Sequence, residues 1–393
     1  MPSRLPKLNI VLAALLPSML VLGIWLGGHP RWLPDPVADL LLGDDGPRVV
    51  AQGLDLVEER FYRPVDPSQL SNAALDGAVK SLEDRFSTYS TPHEYSTFRH
   101  SVDNRFSGIG VAIRGVPKGL RVVTVFDGSP AKRAGLRVAD IITAADGKRL
   151  AGRPEQAAVA LVKGPKGTKV TLRILRGRRT LTRTITRQEI REPLVAARIK
   201  RAEGKRVTHI ALSTFLAEDA DDQMTAAIRK AKQRKARGIV LDLRGNGGGL
   251  ITQAQLIASM FLEDGPIVTT RGRSVSERTL NALGEPIAGT LPVVVLVDGG
   301  SASASEIVAG ALQDRKRATI VGTRTFGKGV FQEVMPLSNG GALDITVGQY
   351  FLPSGRNLAG KPIEPDVPAR DDPDTPKRDE ALDRALSVLA SKL

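Results

Sequence analysis

The chain has 393 residues, 41% apolar and 25% charged, with a formal net charge of +14. Its length exceeds one ordinary domain and its apolar share supports a real core, so two or three domains are expected. The absence of cysteine excludes thiol catalysis, disulfides and thiolate zinc sites, and the histidines are only four: His29, His93, His100 and His209.

Leu8–Gly28 is a run of 21 uncharged residues preceded by Arg4 and Lys7. It is long enough to cross a bilayer, and the basic flank places the amino terminus in the cytoplasm and the rest outside. Residues 1–28 therefore read as a signal anchor or transmembrane helix. A cleaved signal peptide is the rival, though no A-x-A site closes the run. Residues 29–48 are rich in Pro, Gly and Asp and read as a linker. In residues 49–103 the apolar positions Leu54, Val57 and Phe61, then Leu75, Val79 and Leu82, recur at helical spacing. The stretch Tyr62-Arg63-Pro64-Val65-Asp66-Pro67 separates two helices.

Residues 104–189 follow a different pattern. Gly108-Ile109-Gly110-Val111 precedes an alternating strand, and Gly128-Ser129-Pro130-Ala131 starts a short helix ending at Gly135. Asp140-Ile141-Ile142 and Asp146-Gly147 give a strand and a turn. A helix is expected at Ala157–Val162, then a hairpin of Val170–Leu175 and Leu181–Thr186. The whole resembles a PDZ domain, with one departure, Ala139, where that family usually has glycine. PDZ domains add a peptide as an extra strand and hold its terminal carboxylate on backbone N–H groups. The resemblance makes Gly108, Ile109, Gly110 and Val111 the candidate loop for a substrate tail.

Lys163–Lys200 carries twelve Lys and Arg against two acids, Glu189 and Glu192. A solvated basic sheet surface accounts for it; attraction to anionic headgroups or acidic substrates is the sharper reading. Nucleic acid is disfavoured, because no aromatic residues interleave the charges.

From Ile190 the elements alternate: strand Val207–Leu212, helix Ala217–Gln233, strand Gly238–Leu243. This pattern argues for an α/β core. His209, inside the first of these strands, reads as a core or sheet-facing histidine. Asp242-Leu243-Arg244-Gly245-Asn246-Gly247-Gly248-Gly249 follows, a glycine run that lacks the Lys-Ser/Thr of a P-loop. Val293–Val297 is a buried strand, broken by Asp298-Gly299-Gly300. Ser301, Ser303 and Ser305 come next, then Glu306 and the apolar positions of a helix. Strand, glycine turn, serine and helix together lift a hydroxyl above a sheet end and aim helix N–H groups at what it attacks. Ser303 and Glu306 also fit a capping box, and on this stretch alone the cap is the simpler reading.

A second segment completes the argument. After the short strand Thr319–Gly322 comes Thr325-Phe326-Gly327-Lys328-Gly329, with Gln332 on the next strand, Val330–Met335. A serine needs a base, and a desolvated lysine serves if burial lowers its pKa. No histidine lies near either segment, so Ser–Lys is the better pairing.

These motifs resemble peptidase family S41, the carboxyl-terminal processing or tail-specific serine peptidases: SASASE, FGKG with a glutamine four residues after the lysine, DLRGNGGGL at Asp242–Leu250, GSPAKRAGL at Gly128–Leu136, and LPSGR…PIEPD at Leu352–Asp366. In that family the lysine follows the nucleophile by 25 residues, which selects Ser303 for Lys328. The resemblance implies that Gln332 orients the lysine and that the oxyanion hole is built from Gly248 or Gly249 with Ala304. Glu306 is a candidate supporting residue. The implied fold is an α/β, ClpP/crotonase-like core at residues 190–370, with the PDZ domain inserted before it and a small N-terminal helical segment for packing or dimerisation. Residues 371–393 are a charged linker and an amphipathic helix. The implied function is cleavage of exported proteins near their apolar C-termini, with no cofactor or metal, at the membrane and outside the cytoplasm, with a homo-oligomer or an adaptor protein as further partners. A catalytically idle PDZ scaffold and a crotonase-type acyl-CoA enzyme are the rivals. The serine, lysine and glutamine set argues against the first, the PDZ-like domain and export signal against the second.

Overall fold

The computed structural model describes residues 45–393, apart from 285, 376 and 377. The predicted membrane span and most of the linker after it lie outside the described residues. Among the described residues no helix is long and apolar enough to cross a membrane.

The chain divides after Leu82 into two compact units. The described part of the first holds two helices, Asp45–Arg60 and Pro67–Lys80. Asp66 caps the second by accepting from Ser68 N–H at 2.8 Å, with Pro67 in the first turn where its missing N–H costs nothing. The helical pattern expected through residue 103 does not run unbroken. Thr88–Ser90 is a strand that pairs antiparallel with Ala342–Asp344. Tyr89 is buried there, and a β-branched and aromatic pair favours a pleated edge over a helix.

The peptidase-like core is built on a six-stranded sheet in the order Val195–Ala202, Lys205–Leu212, Ile239–Asp242, Val293–Val297, Ala318–Gly322, Val367–Pro368. Its first pair is antiparallel and the rest parallel. All five residues of Val293–Val297 are buried, because a central parallel strand is covered on both faces. Val293, Val295 and Val297 face one core with helices Ala220–Gln233, Ile251–Ser259 and Ala304–Asp314. Val294 and Leu296 face another, closed by Leu382, Ala385 and Leu389 of the C-terminal helix Glu380–Ala390. A second, antiparallel sheet joins Thr88–Ser90, Ala342–Phe351, Pro266–Gly272 and Arg278–Asn281, with Val330–Pro336 also paired to Ala342–Phe351.

The inserted domain enters and leaves through one small ladder, Arg105–Gly108 against Gln188–Arg191, with Phe106 opposite Ile190. Beyond it stands the sheet Val111–Val116, Gly119–Val125, Ile141–Ala145, Lys169–Arg176, Arg179–Thr186. Two cations of the basic run are structural here. Arg176 grips the buried Asp140 at 2.7 and 2.8 Å. Arg187, 7% exposed, donates to the carbonyls of Leu161 and Val162 at the end of helix Glu155–Val162. Ala139, where the resemblance leads one to expect glycine, sits at φ 71°, a conformation that favours glycine.

Candidate active site

Two neighbouring parallel strands, Ile239–Asp242 and Val293–Val297, end side by side, and each releases a glycine-rich turn at its carboxyl end. Such sheet ends are where α/β folds place their ligands. The second turn carries Ser303, which sits at φ 54°, ψ −115° at the start of the helix Ala304–Asp314. A non-glycine residue at positive φ stores strain, and such residues gather at functional sites.

The three serines are not equivalent. Ser301 Oγ donates to Leu243 O at 2.8 Å and accepts from Asp298 N–H at 3.0 Å. Ser305 Oγ donates to Asn246 O at 2.8 Å. Both side chains are fully buried and tie the serine turn to the glycine loop. Ser303 is left at the mouth of the turn, 8% exposed.

Glu306, fully buried, draws the two motifs together. Its Oε2 accepts from Ser303 N–H and from Lys328 N–H, each at 3.0 Å. Its Oε1 accepts from Gly327 N–H at 2.8 Å and from the Thr325 hydroxyl. The Thr325 hydroxyl in turn accepts from Ile363 N–H at 2.9 Å, so the loop Pro353–Asp366 folds back onto the lysine segment.

Lys328 Nζ donates to Gln332 Oε1 at 2.7 Å and lies 4.8 Å from the centre of the Phe86 ring. Gln332 Nε2 donates to Thr346 Oγ1 at 3.0 Å. Thr346 N–H donates to Ser87 Oγ at 3.0 Å, and Ser87 Oγ donates to Asp84 at 2.6 Å. Phe86 and Ser87 belong to the N-terminal segment that sequence reasoning assigned to packing or dimerisation; the aromatic beside a serine was the available signal. Burial pushes the Lys328 ammonium below its ordinary pKa, against opposing pulls from Asp344, Asp84 and Glu306. Among the described residues Lys328 and Ser303 make no direct hydrogen bond.

The glycine loop packs tightly on the serine. Gly248 has φ 96°, and a Cβ there would stand 2.6 Å from Ala302 O and 2.8 Å from Ser303 Cβ. Its N–H donates to Asn246 Oδ1 at 3.0 Å. Among the described residues the N–H groups of Gly249 and Ala304 have no such partner. Tyr350, missed by sequence reasoning, is fully buried, with its hydroxyl toward Ser303 and near Glu306. Burial holds its phenol well above the ordinary range.

Behind the loop, Asp242 accepts from Arg244 and bonds His209 Nε2 at 2.9 Å, and Arg244 reaches Asp379 at 2.9 Å. His209 thus braces the loop from the sheet. Gly108, Ile109, Gly110 and Val111 line a cavity of about 600 Å³ that also reaches Val159, Val162 and Thr214. Among the described residues no group of acids and histidines is arranged to hold a metal.

Comparison with known proteins matches this architecture. The model of peptidase family S41 matches residues 206–369, and that of a PDZ domain matches residues 121–176. A carboxy-terminal-processing protease of Bartonella bacilliformis is 38% identical over 318 residues, 79% of this chain and 72% of that protein. A probable CtpA-like serine protease of Staphylococcus haemolyticus is 34% identical over 78% of this chain, which spans 61% of that relative's length. Among solved structures, a photosystem II D1 C-terminal processing protease superposes with TM-score 0.50 at 28% identity, over 87% of this chain and 97% of that one. A putative S41 protease from Bacteroides fragilis, 19% identical with TM-score 0.54 over 87% and 97%, shares the fold. With the serine turn, the glycine loop and the lysine segment converging beside an inserted PDZ domain, the chain belongs to the carboxy-terminal-processing serine peptidases of family S41.

Proposed function

We propose that Ser303 and Lys328 form the catalytic dyad of an endopeptidase acting near the C-terminus of exported proteins. The observation that carries this reading is the strained serine, joined through Glu306 to a desolvated lysine whose amine is oriented by Gln332. Neutral Lys328 takes the proton from Ser303 Oγ as the oxygen bonds to the scissile carbonyl carbon. The N–H groups of Ala304 and of Gly249 or Gly248 hold the oxyanion; Gly249 is favoured because the Gly248 N–H is donated to Asn246 Oδ1. The lysine then protonates the leaving amine as the C–N bond breaks. Water, deprotonated by the same lysine, releases the acyl group. The amine must turn from Gln332 to reach Ser303, and unbound enzymes commonly hold such contacts long.

On this reading the 600 Å³ cavity beside Gly108–Val111 receives an apolar C-terminal tail as an added strand. Residues 1–28 anchor the chain, with the catalytic part outside the cytoplasm. Assembly with a second copy or with an adaptor protein completes the expected partners. The test is cleavage of a reporter with an apolar free C-terminus by wild type and by Ser303→Ala, alongside the same peptide amidated. The variant is expected to be inert and the amidated peptide a poorer substrate. Undiminished cleavage by Ser303→Ala would reject the dyad, and no cleavage by either protein would leave the scaffold reading, a PDZ module without chemistry. Equal cleavage of the two peptides would remove carboxylate recognition.

A further inference from the structure

The wall of the lysine cradle holds an acid that the reaction above does not use. Asp344 lies on the strand Ala342–Phe351, opposite Val334 and Thr88. Gln332 stands opposite Thr346 on the same ladder. Residues two apart on a strand share a face, so Asp344 lies beside the Lys328–Gln332–Thr346 chain, on its side of the sheet. Its Oδ1 is buried and, among the described residues, has no hydrogen-bond partner. Leaving a carboxylate oxygen buried and unpaired is costly, and such groups persist where they serve something beyond stability.

We propose that Asp344 is a positioning residue for the dyad: its unspent negative charge holds the Lys328 ammonium in the cradle and governs when the amine becomes free to act as base.

Of the charged groups around Lys328, the others are already engaged. Glu306 is saturated by Ser303, Thr325, Gly327 and Lys328 backbone or hydroxyl donors. Asp84 accepts from Ser87 Oγ and Phe86 N–H and lies against the Thr346 hydroxyl. Arg85, a cation on the same segment, stacks on the rings of Phe86 and Phe326, at 4.6 and 5.2 Å. Tyr350 is neutral. Asp344 is therefore the anion whose field is least absorbed by local donors. Burial raises its own carboxyl, and Lys328 opposes that rise, the reciprocal of the pull Asp344 exerts on the lysine. Burial alone would drive the lysine still lower and make it a weaker base; the acid restores basicity and keeps the amine docked on Gln332.

This inference rests on the dyad reading, and the experiment separates the two. The pH dependence of kcat/KM on a short peptide, and of Ser303 acylation by a fluorophosphonate, is measured for wild type, Asp344→Asn, Asp344→Ser, Asp344→Glu and Lys328→Ala. Removing the charge is expected to displace the acid limb downward by about one pH unit and to lower the alkaline plateau, in both the Asn and Ser variants. Asp344→Glu should keep the wild-type limb. A limb that stays in place in Asp344→Asn and Asp344→Ser, whatever the plateau, overturns the inference. So does loss of the fold in both, which would assign Asp344 to structure. Lys328→Ala is the control: if it acylates and cleaves like wild type, the dyad itself fails, whereas an inert Lys328→Ala with unmoved limbs rejects Asp344 alone.

Discussion

Ser303 and Lys328 donate their backbone N–H groups to one and the same oxygen, Oε2 of Glu306, at 3.0 Å each. A single buried carboxylate thus sets the separation of two residues 25 positions apart in the chain. The capping box legible in the serine turn and the proposed dyad are therefore one device, because the capping residue also holds the lysine loop.

Glu306→Gln tests that device. The amide would place an NH₂ group where two donors already point, since each oxygen of Glu306 receives two. A loss of about 3 kcal/mol in stability is expected, as for a broken buried charged network, with activity falling at temperatures where the variant is still folded. Urea denaturation and peptide cleavage at low temperature read the two effects. Stability within 1 kcal/mol of wild type, taken as about the worth of one ordinary hydrogen bond, would contradict this assignment.

The three serines should separate by property. Ser303→Ala is expected to cut kcat by about 10⁴-fold or more with stability retained. Ser303→Gly should be equally inactive and about 1 kcal/mol more stable than the alanine variant, since glycine relieves positive φ. Ser301→Ala and Ser305→Ala should each lose about 1–2 kcal/mol, leaving buried carbonyls at Leu243 and Asn246 without their donors, while cleavage at low temperature persists. Thermal melts with an active-site titration check all four.

Acid should loosen the Asp242–Arg244–Asp379 network behind the glycine loop. Asp242 is buried, which opposes its charge, yet hydrogen bonds from His209 and Arg244 hold its pKa down from 3.8 to about 2. Its folded value lies below the unfolded one, so the anion contributes stability above pH 4 that is lost as pH falls toward 2. The contribution is about 2 kcal/mol at neutral pH. Denaturant midpoints at pH 6, 4 and 3 should fall more steeply for wild type than for Asp242→Asn; parallel slopes would refute the link.

Ala139→Gly should stabilise the PDZ domain. Ala139 holds φ 71°, costing about 1 kcal/mol relative to glycine, and it is exposed. A rise of that size in unfolding free energy is expected, with no change in cleavage. A destabilised glycine variant would show that chain entropy outweighs the strain.

What the sequence determined by itself was local. The all-apolar run Val293–Val297, the glycine turns and the helix behind Ser303 follow from residue type and period, and the motifs in order place the chain in its family. The presence of a PDZ domain was legible because turn residues punctuate alternating strands. Three things depended on tertiary structure. Thr88–Ser90 was read as part of a helical segment, since only its partner strand Ala342–Asp344, some 250 residues away, gives it a ladder. Spacing could rank the serines by family pattern, but not show that the hydroxyls of Ser301 and Ser305 are spent on Leu243 and Asn246. Phe86, Asp344 and Tyr350 reach the site only because two sheets meet there. Hydrogen bonds and fields act through space, and no period along the chain encodes which buried oxygen is left without a partner.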